Sequence, residues 1–428
     1  MTVTKMPPNR IVELSDIISE HTRKVDAYFT SKNLPTPSFD VSYPPKVPLP
    51  PEIEQSQQTV LAATDELTAL MMGPALMLVG KNSFNAWSSI QAIERFGIAK
   101  SFPVGETSTF QDIAQTCSLP ESDTRRIIRH AVTNYVFQEP EPGVVKHTAA
   151  SKALAAIPPL GSVVGFLANE MWPSSSRITD ALEKWPGSEE ANEAGFNIAY
   201  GVDIPMMDVV DRDPARAKRM AGAMQFMHSG PGYDIRHVVD NFDWGDAAHG
   251  LLVDVGGGNG TVGAAIARAL PNIHCIVQDL PEVVKDVDIP EDLREGERLK
   301  LVAHDFFQKQ PVKDADIYLL RWILHDWSDK YAVKILQNLV PALKQGARVV
   351  VNELNLPPPV GLSPYKQRSA RGFDLAMKAL QNAKERDAQD WKDLFHNADP
   401  RFKLEDIKTP PGATLAIISA TWEGKGAS

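Results

Sequence analysis

Cysteine is nearly absent: the 428 residues contain two, Cys117 and Cys275. A disulfide framework is thereby excluded, and such sparse use fits a reducing compartment. Neither cysteine belongs to a Cys-x-x-Cys pair or a Cys/His cluster at ligand spacing, so no metal is expected. No run approaches about 18 consecutive apolar residues, and no membrane partner is expected. The opening MTVTKMPPNR lacks the apolar core of a signal peptide, and the expected location is cytoplasmic. Positive charge is also short: 44 Lys and Arg stand against 54 Asp and Glu, a net −10. That balance argues against a broad basic face for nucleic acid. What remains is ordinary globular usage, 43% hydrophobic and 23% charged, at a length that suffices for two domains.

Proline, by contrast, is plentiful, with 33 residues. Residues 9–29 read as one amphipathic helix with Ile11, Leu14, Ile18, Val25 and Tyr28 on one face. Pro35, Pro37, Pro44, Pro45, Pro48, Pro50 and Pro51 follow. Proline fixes φ and removes a donor, which predicts an extended spacer rather than packed structure. Residues 1–52 are thus a helix and spacer whose apolar stripe must dock on the body or on a second subunit.

From about 55 to 240 the pattern is helical. Within it the stretch 109–154 predicts a helix from Phe110, a turn at Ser118–Leu119–Pro120, a helix from Glu121 and a hairpin around Glu141–Pro142–Gly143. That is the winged-helix order. Arg125, Arg126, Arg129 and His130 sit on the second helix, which raises a DNA-reading role. A solvated basic face on an acidic chain accounts for them more simply.

From about 245 the rhythm becomes strand–helix alternation. Strands are expected at LLVDV (251–255), HCIVQDL (274–280), LKLVAHD (299–305), ADIYLLR (315–321), RVVVNEL (348–354) and TLAIISATW (414–422). Helices are expected between them, notably over Gly260–Leu270 and Lys330–Leu343. The expected fold class is α/β, a parallel sheet covered on both faces. Ligands in such sheets bind beyond the carboxyl ends of the strands, and that is where the chemistry-bearing residues fall.

After LLVDV comes Gly256-Gly257-Gly258-Asn259-Gly260 at the mouth of a helix. Glycines let backbone approach a ligand, and the helix start offers free N–H groups. Gly258-x-Gly260-x-x-Gly263 also satisfies the dinucleotide fingerprint, so NAD has to be weighed. Three acids favour S-adenosylmethionine. Asp254 precedes the glycines, where a cationic amino-acid moiety wants a counter-charge and a pyrophosphate does not. Asp279 ends the second strand and can accept both ribose hydroxyls, which serves either ligand. Asp305 and Phe306 end the third, an acceptor for an exocyclic amine beside a ring that can lie on adenine. Helix capping is the competing role for Asp279 and Asp305.

VDVGGGNG, VQDLP, HDFF, LLRWILHDWSDKYAVKILQNL, NEL and KERDAQDW occur in an order that resembles the plant-type class I S-adenosylmethionine-dependent O-methyltransferases. The fungal branch, which acts on polyketide phenols and related secondary metabolites, is the nearest in look. The resemblance covers most of residues 60–422. It implies a Rossmann-like methyltransferase domain over 245–428 and a winged-helix-like dimerisation domain over 53–160, hence a homodimer. Connecting helices and acceptor pocket would occupy 161–244.

Methyl transfer from a sulfonium is an in-line displacement with an already activated donor, so the protein supplies alignment and removal of the hydroxyl proton. His325 is the natural base, because its ordinary pKa suits neutral pH. Glu353 and Glu385 match the family positions that flank that histidine. The resemblance also lays Arg321 along the cofactor, holding the strand-end acids, and stacks Trp327 on adenine; Gly257 approaches the cofactor backbone-first. Asp326 either contacts the cofactor or caps the next helix. For the acceptor it points to Phe166, Met171, Trp172, Met224, Met227, Met377 and Gln381, adaptable apolar groups suited to a flat aromatic molecule. Two other readings compete. One is a pericyclic-reaction enzyme on the same fold, which needs no His–Glu pair. The other is a non-enzymatic DNA-binding protein.

Overall fold

Apolar residues alternate across the strands of the carboxyl-terminal half so that both faces of its sheet are covered. In the computed structural model, which describes residues 9–79 and 83–424, the chain divides into two units. Residues 1–8 of the opening segment lie outside the described residues. The first unit comprises residues up to 172, 215–226 and 361–369; the second comprises 173–214, 227–360 and 370 onward.

The first unit begins with helix α1 (Arg10–Ser31), which packs on α2 (Pro51–Val79). Leu14 and Phe29 are buried, and Arg10 forks onto Glu66 at 2.7 and 2.6 Å. The segment between them is more than a spacer. Phe39 stacks on Tyr135 at 4.2 Å, the Phe39 carbonyl accepts from the Ala149 N–H, and Lys152 donates to the Val41 carbonyl. This corrects the reading of an unpacked segment: Phe39, one of two aromatics among the prolines, finds a flat partner. Helix α2 is long and apolar enough by length and composition to cross a membrane, but it is broken where Gly73 adopts φ +69° ahead of Pro74. Met71, Leu76, Leu78 and Val79 remain exposed on it.

Helix α3 (Ser83–Arg95) leads to strand β1 (Thr107–Thr109), helices α4 (Phe110–Cys117) and α5 (Glu121–Val132), and strands β2 (Phe137–Glu141) and β3 (Val144–His147). The three strands form an antiparallel sheet in the order β1-β3-β2. Thr109 caps α4 by accepting from the Asp112 N–H, and Ser118 ends it in the left-handed region. Three of the basic residues of α5 are engaged inside the unit: Arg125 with Glu121, Arg129 with Glu139, His130 with Ser89.

The second unit carries seven strands: β4 (Leu251–Val255), β5 (His274–Asp279), β6 (Leu299–Ala303), β7 (Ile317–Arg321), β8 (Arg348–Glu353), β9 (Phe402–Lys408) and β10 (Ala416–Trp422). Their order is β6-β5-β4-β7-β8-β10-β9. The first five run parallel, while β10 is antiparallel to both β8 and β9. The sheet is therefore mixed rather than wholly parallel, and β9 was not expected at all. Along β4 and β7, Val253, Val255, Tyr318 and Leu320 pack into one core, and Leu252, Ile317 and Leu319 into the other.

Candidate active site

The parallel order reverses at β4, so the ends of β4, β5, β7 and β8 open on the crevice where such sheets bind ligands. The glycine turn leaving β4 is shaped by two demands. Gly256 takes φ +72°, and a Cβ there would sit 2.4 Å from Ile323 Cδ1. A Cβ on Gly257 would lie 2.5 Å from Asp254 Oδ2. Both N–H groups donate to the Gln278 carbonyl, at 2.8 and 3.0 Å. The Gly258 N–H donates to Asp279 Oδ2 at 2.8 Å, and Asp279 Oδ1 accepts from the Leu280 N–H. Asp279 thus ties the turn to the end of β5.

Asp254 is fully buried under this turn, and its Oδ2 has no hydrogen-bond partner. Burial pushes its carboxyl up to about 7, against the Gly263 N–H and the Arg321 charge. Asp305 Oδ1 accepts from the Phe307 N–H at 2.8 Å, so it braces its own turn. Phe306 and Trp327 meet edge to face at 6.1 Å, with Phe307 4.7 Å from Trp327. Arg321 donates to Asn352 Oδ1 at 2.6 Å and to the Tyr233 carbonyl. Its hydrogen bonds thus go to neutral oxygens rather than to the strand-end acids, of which Asp254 acts on it at longer range.

Three residues beyond Arg321, the chain tightens into a helical turn, Leu324–Asp326, bearing His325. His325 Nδ1 lies 2.9 Å from Glu385 Oε1, with both side chains buried. In the neutral ring, a Nδ1–H donated to the carboxylate leaves Nε2 as the acceptor, 3.8 Å from Asp326 Oδ1. Burial alone would lower the imidazole pKa. Asp326, the Glu385 hydrogen bond and Glu353 outweigh it and push the ring up to about 9. Glu353 does not bond the imidazole. Its Oε1 accepts from the Ile323 and Leu324 N–H groups at 2.8 and 2.6 Å, holding the turn itself. Burial raises the Glu353 carboxyl to about 7. Asp326 accepts from Gln381 Nε2 at 3.1 Å, through both its carbonyl and Oδ1.

Among the acceptor candidates, Phe166, Met171, Trp172 and Met224 belong to the first unit and Met227, Met377 and Gln381 to the second. Phe166 and Met171 are buried within the first, Met377 and Gln381 within the second. Gln381 is the one brought to the His325 turn. Sequence reasoning passed over four neighbours. Trp322, at φ +56°, lies between two histidines, stacked on His228 at 4.9 Å and tilted against His325 at 4.7 Å. Burial drives the His228 ring down to about 4, so it is neutral. Asn352 anchors Arg321, and Arg386 binds the histidine turn. A tryptophan after a strand-end arginine, or an arginine after a glutamate, carries no signal of its own.

A family model described as the O-methyltransferase domain matches residues 181–400. The chain is 38% identical over 418 residues to O-methyltransferase kk1A of Curvularia clavata, covering 97% of this chain and 98% of that protein. It is 36% identical to the chlorophenol O-methyltransferase of Trichoderma longibrachiatum, covering 97% and 91%. The protein belongs to the O-methyltransferase family. Solved structures at 20% identity share the fold. OxaC in complex with S-adenosylhomocysteine and oxaline aligns with a TM-score of 0.69 over 96% of this chain and all of that one. LepI in complex with S-adenosylmethionine aligns at 0.68 over 95% and 99%.

Proposed function

We propose that the protein is an S-adenosylmethionine-dependent O-methyltransferase acting on a hydroxyl of an aromatic, polyketide-type secondary metabolite, with His325 as general base. The observation that carries the reading is the buried His325–Glu385 pair at 2.9 Å. A base whose tautomer is fixed by a carboxylate serves proton removal, and a pericyclic rearrangement has no use for one.

The cofactor fits the residues present. The unpartnered Oδ2 of Asp254 would receive the amino-acid end, Gly256, Gly257 and Gly258 would face it backbone-first, and Asp279 would accept from the ribose. Asp305, Phe306 and Trp327 would flank the adenine. When bound, the cofactor supplies an activated methyl group. His325 takes the acceptor's hydroxyl proton on Nε2, Glu385 holds the ring and offsets the charge it gains, and Glu353 keeps the turn in place. On the acceptor side, Gln381 is the candidate held at the His325 turn, through Asp326.

Residues 53–160 are read as a dimerisation domain, and the exposed Met71, Leu76, Leu78 and Val79 support a homodimer. The sparse, free cysteines support a cytoplasmic location. A second reading, a pericyclase, draws support from the structural likeness to an enzyme described as a pericyclic reaction enzyme, TM-score 0.68. Incubation of the purified protein with S-adenosylmethionine and a panel of polyketide phenols separates the two. A mass gain of one methyl is expected. A rearranged product with no methyl gained would replace the first reading by the second.

A further inference from the structure

We infer that Arg386 is the positioning residue of the His325–Glu385 pair, gripping the backbone on both sides of the histidine and the residue next to the glutamate. The inference rests on the role proposed for His325. The Arg386 side chain is 0% exposed. Its Nη1 donates to the Leu324 carbonyl at 2.7 Å and to the Lys384 carbonyl at 3.2 Å, and Nη2 to the Trp327 carbonyl at 2.9 Å. Nε donates to Asp329 Oδ1 at 2.9 Å, while Asp329 Oδ2 meets Lys384 Nζ at 3.0 Å. The guanidinium lies 5.4 Å from the Trp391 ring centroid, and the Arg386 carbonyl accepts from the Leu356 N–H.

These contacts form a pattern. Leu324 immediately precedes His325, Trp327 follows it by two residues, and Lys384 immediately precedes Glu385. One rigid fork therefore sets both ends of a pair that the sequence separates by sixty residues. Burying a cation is costly, and a well-packed apolar side chain would stabilise the same interior at least as well. A planar five-donor group is suited instead to fixing several oxygens at set directions. Lysine, with one nitrogen on a flexible stem, cannot reproduce that geometry.

The test compares wild type with Arg386→Lys, and with Asp329→Asn, which loosens the guanidinium without removing it from the interior. Asp329 is 45% exposed, so the second variant serves if the first fails to fold. Proton NMR of the cofactor-free protein follows the His325 Nδ1–H resonance, assigned by its loss in His325→Asn. We expect that resonance to broaden and exchange faster in both variants. Turnover should fall by roughly 10- to 100-fold, the scale for a misplaced catalytic group, with acceptor KM and S-adenosylhomocysteine affinity within about twofold, since Arg386 meets the proposed cofactor residues only at the Trp327 backbone carbonyl and not at its ring. Folded variants that keep both the resonance and the turnover would overturn the inference. If wild type transfers no methyl group yet its resonance depends on Arg386, the positioning role stands and the methyltransferase reading falls.

Discussion

His325 Nδ1 and Glu385 Oε1 stand 2.9 Å apart in the interior, whereas Glu353, one strand away, bonds the backbone of the turn instead of the ring. The two glutamates therefore serve one histidine in different ways, and substitutions should separate them.

Replacing His325 by alanine should lower turnover by about 10²–10⁴-fold, the usual worth of a general base. S-adenosylhomocysteine affinity should stay nearly unchanged. The loss should shrink with more acidic phenols, which reach the site already ionised. Steady-state kinetics across a phenol series, beside calorimetric titration, would check both points. An equal loss for every acceptor would point to damage of the fold.

Glu385→Gln should cost turnover without much stability, because a neutral amide can keep the contact while losing the charge that steadies the imidazolium. Glu353→Ala should behave oppositely. It strands two buried N–H groups, at about 1–3 kcal/mol for such a desolvated donor, and chemical denaturation should record the loss. Glu353→Gln retains an acceptor oxygen and should fall between wild type and alanine.

The pH dependence has a definite sign. The His325 pKa rises from 6.5 in the unfolded chain to about 9 in the folded one. Its contribution to stability is thus full below about 6.5 and is lost as pH climbs through about 9. Turnover runs the other way, because the base is the neutral ring. Because kcat/KM reports the pKa of the free enzyme, it should rise about tenfold per pH unit on the acid side of that value. A profile flat from pH 6 upward would show that this ring does not take the proton.

Asp279 accepts from Gly258 and closes the glycine turn, so Asp279→Ala should weaken S-adenosylhomocysteine binding by about 1.5–3 kcal/mol, the range for a hydrogen bond to a charged group. S-adenosylhomocysteine should raise the melting temperature of wild type and NAD should not. A shift with NAD alone would reverse the cofactor assignment.

Deleting residues 1–50 strips α1 from α2 and uncovers the face that buries Leu14 and Phe29. Loss of the dimer or aggregation is expected, read by sedimentation velocity. A truncated chain that remains a soluble dimer would show that α1 has no part in it.

What could be read in advance follows from what each residue answers to. The Asp254, glycine-turn and Asp279 series and the HDWSD block are local patterns at strand ends, and strand runs buried on both faces announce themselves. Strand β9 did not. Phe402, Leu404 and Ile407 are interrupted by charges suited to an edge, and a bulge opposite Ser419 and Ala420 breaks their alternation. The run TLAIISATW reads the same whether its strand runs up or down, so the antiparallel end of the sheet was invisible. Which glutamate faces the ring depends on side-chain direction sixty residues away. Methionines and aromatics at helical spacing read alike as core or as pocket.

The discontinuity of the two units has a consequence for how the protein is made. The chain changes unit at 172/173, 214/215, 226/227, 360/361 and 369/370. During synthesis from the amino terminus, the first unit lacks its last segment until residue 369 has emerged, by which point most of the second has been made. Neither unit can finish well ahead of the other on the ribosome, as sequential domains do. Neither can be excised as one stretch of gene, so exchanging either unit between two members of this family would require several simultaneous crossovers.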